Sequence, residues 1–350
     1  MKVPKSINNF RRNFMQGLTK NIGKSDFKKV KIKSNFEVKR ILICRPNHRL
    51  GNLLLITPLI QELSATFPGC KIDLFIKGGL APIVLKNYSE IDRIMSLPRR
   101  PTKEPFKYFK VWFDLKKHAY DLVINADTKS SSGRISAKIV RSKIKFFGDE
   151  NDTDATAKPD DYFHFAKHPI YNLRENLSAL GMTTMQGEMP YLDIKLSPEE
   201  ISQGKKIVDA LVKNTKKTIC IFTFATGKKC YTEAWWLPFY EKLLLAFPDY
   251  NIIEILPVEN VSQIGFKATS FYSKDVREMA AVMKNTSIFI GADSGIMHLA
   301  SASKTPTVGL FSVTKTHRYA PYNEGSLAVN TNDTDADGII QIVKTILSKN

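Results

Sequence analysis

The sequence predicts two consecutive α/β domains, each a parallel sheet covered by helices, facing each other across a central cleft. Three observations carry this. Short unbroken apolar runs, such as Ile41-Leu42-Ile43-Cys44 and Ile219-Cys220-Ile221-Phe222, read as strands buried on both faces. Segments with apolar residues three and four apart separate them and read as covering helices. The βα series also occurs twice, and a length of 350 residues with 43% apolar and 25% charged residues suits two ordinary domains.

Taken in order, the first series opens with a strand at 40–44, a glycine-containing turn and an apolar helix from about Leu53 to Phe67. Strands follow at 71–76, 91–96, 121–125 and 143–147. The polar stretch 149–161, rich in Asp, Thr and Lys, has no period and reads as a loop. A helical segment near 171–180 and the stretch 187–198 form the passage between domains. The second series places strands at 218–222, 251–256, 287–290 and 307–311, with helices near 236–247 and 275–284. These are two Rossmann-like halves, an N-terminal domain over 38–185 and a C-terminal domain over 186–350. Ligands of open α/β sheets bind beyond the carboxyl ends of the strands.

Residues 1–37 form a separate unit. The first 40 residues hold 12 lysines and arginines against Asp26 and Glu37, a balance of +10 within a chain total of +18. Ile7, Phe10, Phe14, Leu18 and Ile22 fall on one helical face, with Arg11, Arg12, Gln16 and Lys20 off it. A basic amphipathic arm of this kind suits an anionic membrane surface, the inner face of an inner membrane. The alternatives are packing on the protein's own body or an unstructured tail. Interleaved aromatic and basic residues are absent downstream, so no nucleic-acid partner is expected. Cys44, Cys70, Cys220 and Cys230 form no CxxC pair, which implies free thiols in a reducing compartment. No run is apolar and long enough to span a bilayer, and Arg11 and Arg12 interrupt any signal-like stretch. A cytoplasmic, peripherally membrane-bound protein is the expectation.

The segment Ile288-Phe289-Ile290-Gly291-Ala292-Asp293-Ser294-Gly295-Ile296-Met297-His298-Leu299 carries the most functional information. A β-run passes through small residues into a helix, with Gly291-Ala292 opening a turn. The helix start offers unpaired backbone N–H groups and the positive end of the helix dipole, a place for a phosphate or diphosphate. Gly295 would let the backbone approach it closely. The plainer alternative is that Asp293 or Ser294 only caps the helix.

A second turn follows the first strand and ends in Leu50-Gly51-Asn52, with Pro58 beyond it. Together the two turns give the chain a resemblance to glycosyltransferase family 9, the ADP-heptose–lipopolysaccharide heptosyltransferases. The family's R-x-x-x-x-G-D-x-x-x-x-x-P turn is matched by Leu50-Gly51-Asn52 and Pro58. Its G-x-D-[ST]-G-x-x-H-L-A signature is matched by Gly291, Asp293, Ser294, Gly295, His298, Leu299 and Ala300. Pro306–Phe311, Asp121-Leu122-Val123-Ile124 and Trp236-Leu237-Pro238 add weaker matches, so the resemblance spans about 38–345. It implies a GT-B fold and inverting transfer of a heptose or related sugar from a nucleotide-sugar donor to a lipid-linked, lipopolysaccharide-core-like acceptor. No metal or other cofactor is implied.

One position departs from the pattern. Asn52 stands where the family has an aspartate, its presumed general base, and an amide cannot accept the acceptor's proton at neutral pH. Three readings stay open: His48, with an ordinary pKa of about 6.5, serves as base; a carboxylate elsewhere, such as Asp127, substitutes; or the chain binds glycans or nucleotides without turnover. For the leaving diphosphate the turn Ala225-Thr226-Gly227-Lys228-Lys229 offers Thr226 and either Lys228 or Lys229, because Ala234 holds the family's usual lysine position. Glu259 is placed for ribose hydroxyls. His298, four residues after Ser294 on a similar helix face, either orients the diphosphate or closes a buried network.

Overall fold

The computed structural model describes residues 36–149 and 158–349, together with Gly17 and Ile22. The expected amphipathic face of the arm, Ile22 excepted, lies outside the described residues.

In the first half the elements are β1 (Arg40–Cys44), α1 (Leu50–Leu54), α2 (Thr57–Thr66), β2 (Lys71–Lys77), α3 (Ala81–Val84) and β3 (Ile91–Leu97). They continue with α4 (Pro105–Lys117), β4 (Ala119–Asn125), α5 (Ser131–Ile139) and β5 (Arg141–Phe146). The five strands pair in parallel in the order β3-β2-β1-β4-β5. Two helices, α6 (His168–Ala179) and α7 (Pro198–Val212), lead to the second half. There β6 (Lys217–Phe222), α8 (Glu233–Ala246), β7 (Tyr250–Leu256), β8 (Thr269–Tyr272), α9 (Val276–Lys284) and β9 (Ile288–Ala292) follow. The chain ends with α10 (Gly295–Ala302), β10 (Thr307–Phe311), α11 (Thr316–Tyr319), β11 (Leu327–Asn330) and α12 (Ala336–Ser348). This sheet is also parallel, in the order β11-β10-β9-β6-β7-β8.

Both orders turn outward from a central pair, β1/β4 in one sheet and β6/β9 in the other. The crevice at each switch point opens where those strands end. The apolar runs of β1, β9 and β10 are buried along almost their whole length, because helices cover both faces. Two Rossmann-like sheets facing one cleft make the GT-B arrangement that the sequence predicts.

Three local expectations change. The helix from Leu53 to Phe67 is two helices: Pro58 has no N–H to donate to Leu54, whose carbonyl instead accepts from the Thr57 hydroxyl at 2.8 Å. The first of them, α1, begins at Leu50, so Gly51 and Asn52 sit in a helical turn rather than a loop. Gly291 and Ala292 open no turn: they extend β9, with Gly291 paired to Gly309 and Phe222.

Many contacts join the halves, and two of them bear on the site. Helix α1 packs against α10. Arg277 of α9 reaches the carbonyls of Ile83 (3.4 Å) and Val84 (3.3 Å) on α3, and holds Glu200 through two bonds of 2.6 and 2.7 Å. That ion pair lowers the Glu200 carboxyl to about 2.

Candidate active site

Between the two halves lies a cavity of about 580 Å³, lined by residues of both. Residues 48–52 and Leu55, with Arg99 from beyond β3, form its N-terminal wall. The C-terminal wall comes from Phe222, residues 224–226 and Lys229 at and after the end of β6, and residues 256–259 at and after the end of β7. Met279, residues 293–296, His298 and Tyr319 complete it. Of the residues that the sequence singles out, His48, Asn52, Thr226, Lys229, Glu259, Asp293, Ser294, Gly295 and His298 all line this one space. Lys228 does not. The Gly227–Lys229 stretch is a short 3₁₀ turn, entered at Gly227 with φ +69°; it turns Lys229 into the cavity and leaves Lys228 exposed.

The two motif helices meet through their glycines. A Cβ on Gly51 would stand 2.8 Å from His298 Cδ2 and 3.3 Å from Gly295 Cα. A Cβ on Gly295 would stand 3.3 Å from both the Gly51 nitrogen and Leu50 Cβ. The close backbone approach expected at Gly295 is therefore made to the opposite domain.

Ser294 and Asp293 divide the two roles that the sequence left joined. Ser294 is the N-cap of α10, accepting from the Met297 N–H at 3.2 Å. Asp293 is buried, and its Oδ2 accepts from Lys229 Nζ and from the Thr314 hydroxyl, each at 2.6 Å. Lys229, which also lies 5.6 Å from the Tyr319 ring centre, is thus fixed next to the positive end of α10. First-turn N–H groups of a helix have no intrahelical acceptor. A cation and such N–H groups aimed into one cavity can stabilise a departing diphosphate.

His298 is buried, and among the described residues its Nδ1 has no hydrogen-bond partner. It therefore does not close a buried network through that atom. Burial pushes its pKa down to about 4, against the opposing pull of Asp293, so the ring is neutral at neutral pH.

On the facing wall, His48 is partly buried, and its pKa is lowered first by that burial and then by Arg99, Lys77 and Arg49. It too is neutral at neutral pH. Asn52 Oδ1 lies 3.4 Å from an Arg45 NH₂ group. Arginine only donates, so the amide oxygen must face it, which leaves the Asn52 NH₂ to donate. Arg45 is buried, with its cation disfavoured by burial and its Nε without a partner among the described residues. Asp127 is not among the lining residues. Thr226 and Glu259 are exposed members of the lining.

Sequence reasoning missed Arg49, Arg99, Thr314 and Tyr319. Arg49 directly precedes Leu50 in the first motif turn and was legible there. Arg99, Thr314 and Tyr319 reach the site only because the strand order brings the loops after β3 and β10 alongside it, and no local motif announces that.

Residues 274–337 match the family model described as glycosyltransferase family 9 (heptosyltransferase). The chain is 23% identical over 293 residues to lipopolysaccharide heptosyltransferase 3 of Escherichia coli, covering 79% of this chain and 85% of that one. Among solved structures it resembles the glycosyl transferase family 9 protein of Veillonella parvula, with a TM-score of 0.71 and 18% identity. That match covers 90% of this chain and 98% of the other. The E. coli heptosyltransferase WaaC solved with ADP gives a TM-score of 0.63 at 17% identity, over 88% and 99% of the two chains. With its signature segment at the cavity and its two sheets in the GT-B arrangement, the chain is similar to glycosyltransferase family 9 proteins in that segment and in fold.

Proposed function

We propose that this protein transfers a heptose from ADP-heptose to the saccharide core of a lipopolysaccharide, inverting the anomeric carbon. The observation that carries this is Lys229, tied to Asp293 at the start of α10, across one cavity from His48 and Asn52. The activity named for the family's members fits that arrangement.

In this reading the diphosphate lies against the first turn of α10 and Lys229, with the neutral His298 ring beneath it. Leu256, Pro257, Val258 and Met279 offer an apolar slot for the nucleobase, and Glu259 accepts from ribose hydroxyls. The acceptor enters along the N-terminal wall. Its hydroxyl oxygen attacks the anomeric carbon from the face opposite the phosphate, and the carbon–oxygen bond to the diphosphate breaks. The electron pair leaves with ADP, and the hydroxyl proton passes to His48, which is uncharged and ready to accept it. Asn52 orients that hydroxyl through its free NH₂. Lys229 and the helix N–H groups meet the charge that develops on ADP, commonly the largest catalytic contribution.

The acceptor is lipid-linked, and the basic arm holds the protein on the cytoplasmic face of the inner membrane. Among the described residues no helix is long and apolar enough to cross a membrane. The sequence of the arm, basic with apolar residues at helical spacing, supports attachment at a surface.

The donor site is tested by titration calorimetry with ADP-heptose on the parent and on Lys229→Met, with unfolding curves to confirm that the variant is folded. Hydrogen bonds to charged groups contribute about 1.5–3 kcal/mol, so the variant should bind roughly ten- to a hundredfold more weakly. Unchanged affinity would remove Lys229 from the donor site.

A further inference from the structure

Helix α4 turns three phenylalanines to solvent. Phe106, Phe109 and Phe113 are 90%, 60% and 67% exposed, and their spacing of three and four puts all three rings on one helix face. The fold does not need them there. The helix is held by its other side, where Leu115 is fully buried and the Trp112 ring packs 5.0 Å from that of Phe75 on β2. Single exposed apolar residues are ordinary, but a contiguous row of large rings marks an interaction surface. Lys107, Lys110, Lys116 and Lys117 surround the rings, all exposed, and the acidic residues of this stretch are Glu104 and Asp114. Asp114 already pairs with Lys117 at 2.8 Å.

We infer that α4 docks the protein on an anionic lipid surface, with the three phenylalanines inserted at the headgroup boundary and the lysines against the lipid charge. Rings ringed by cations match a bilayer carrying anionic headgroups, whereas a protein surface would have to supply both an apolar trough and its own acidic rim. The placement also serves the site. Arg99 lines the cavity, and the chain runs from it directly into Phe106 seven residues later. A bilayer held by α4 therefore borders the acceptor side of the cavity, where a lipid-anchored saccharide would project. That purpose rests on the proposed acceptor; the docking itself does not, and it is separate from any contribution of residues 1–37.

The test uses the full chain and co-sedimentation with vesicles of phosphatidylethanolamine and phosphatidylglycerol, beside vesicles of phosphatidylcholine alone. Phe106→Ser, Phe109→Ser and Phe113→Ser are combined in one variant, whose rings are too exposed for their loss to unfold it. Unfolding curves and calorimetric affinity for ADP-heptose check that it keeps its fold and donor site. Partitioning onto anionic vesicles should fall about tenfold or more, because insertion of the rings is the part salt does not screen. Lys110→Glu with Lys116→Glu should lower binding to the anionic vesicles alone and flatten its salt dependence. A phenylalanine variant that partitions like the parent would overturn the proposal. So would a parent that dimerises in light scattering while the variant is monomeric, since the face would then join two copies. Failure of the parent to bind ADP-heptose would sink the proposed reaction and leave this surface standing.

Discussion

Asn52 stands where a carboxylate would complete an ion pair with the buried Arg45 cation. The amide offers that guanidinium only a neutral oxygen at 3.4 Å and cannot take up a proton. The lining residues leave two carboxylates for the task. Asp293 is committed to Lys229 and Thr314, and Glu259 is exposed on the donor wall. His48 is the remaining base on the acceptor wall. His48→Ala should lower kcat/KM by roughly 10²–10⁴, while Asn52→Ala stays within a few-fold. The sign of the pH effect follows from His48's lowered pKa. The base works unprotonated, so activity holds through neutral pH and falls as pH drops through a value below 6.5. His48→Ala should flatten that acid limb in a pH–rate profile. The opposite ranking of the two variants would give the proton to another group and make the Asn52 hydrogen bond to the acceptor the larger contribution.

At the scale of elements, the site depends on two helices close enough to touch through glycine. Gly51→Ala would press a methyl group on the buried His298 ring and on Gly295, forcing α1 and α10 apart. Calorimetry should then show donor affinity down by about tenfold or more with only a modest loss of thermal stability, since a small shift at a positioned group is costly to binding. Native affinity in this variant would mean that the helix contact does not set the site. Much at this scale was legible in the sequence. Strands β1, β9 and β10 announced themselves because burial on both faces demands unbroken apolar runs. Helix α4 did not, because the phenylalanines on its outer face erase the polar contrast that marks an amphipathic helix. Helix α7 buries only Gly204 and Val208, too little for a period, although its capping box of Ser197 and Glu200 was there to be read. Strands β8 and β11 are four residues long and take their form from their neighbours. The residues proposed for the site that line the cavity are those where motif and turn coincide. Which of Lys228 and Lys229 enters the cavity depended on one 3₁₀ turn, beyond any local pattern.

For the whole molecule, two buried histidines tie folding to pH. His164 and His298 both have folded-state pKa values pushed down to about 4 from 6.5, by burial first. Between those values the unfolded chain binds protons that the folded chain excludes, so stability is present above pH 6.5 and is lost as pH falls toward 4. Each histidine should contribute about 1.4 kcal/mol per pH unit across that window. Denaturant titrations of the parent and of His164→Gln should differ in this slope, and equal slopes would place the acid sensitivity elsewhere. The proposed transfer requires the two halves to do more than hold a ligand; Asn52 is the feature that makes a silent binder the competing reading. The most direct measurement is ADP release from ADP-heptose by the full chain, with and without a truncated lipopolysaccharide-core acceptor, alongside mass analysis of that acceptor. Catalysis predicts ADP formed in step with an acceptor heavier by one heptose, and little ADP when the acceptor is omitted. ADP-heptose that binds in calorimetry yet yields no acceptor-dependent ADP would contradict it.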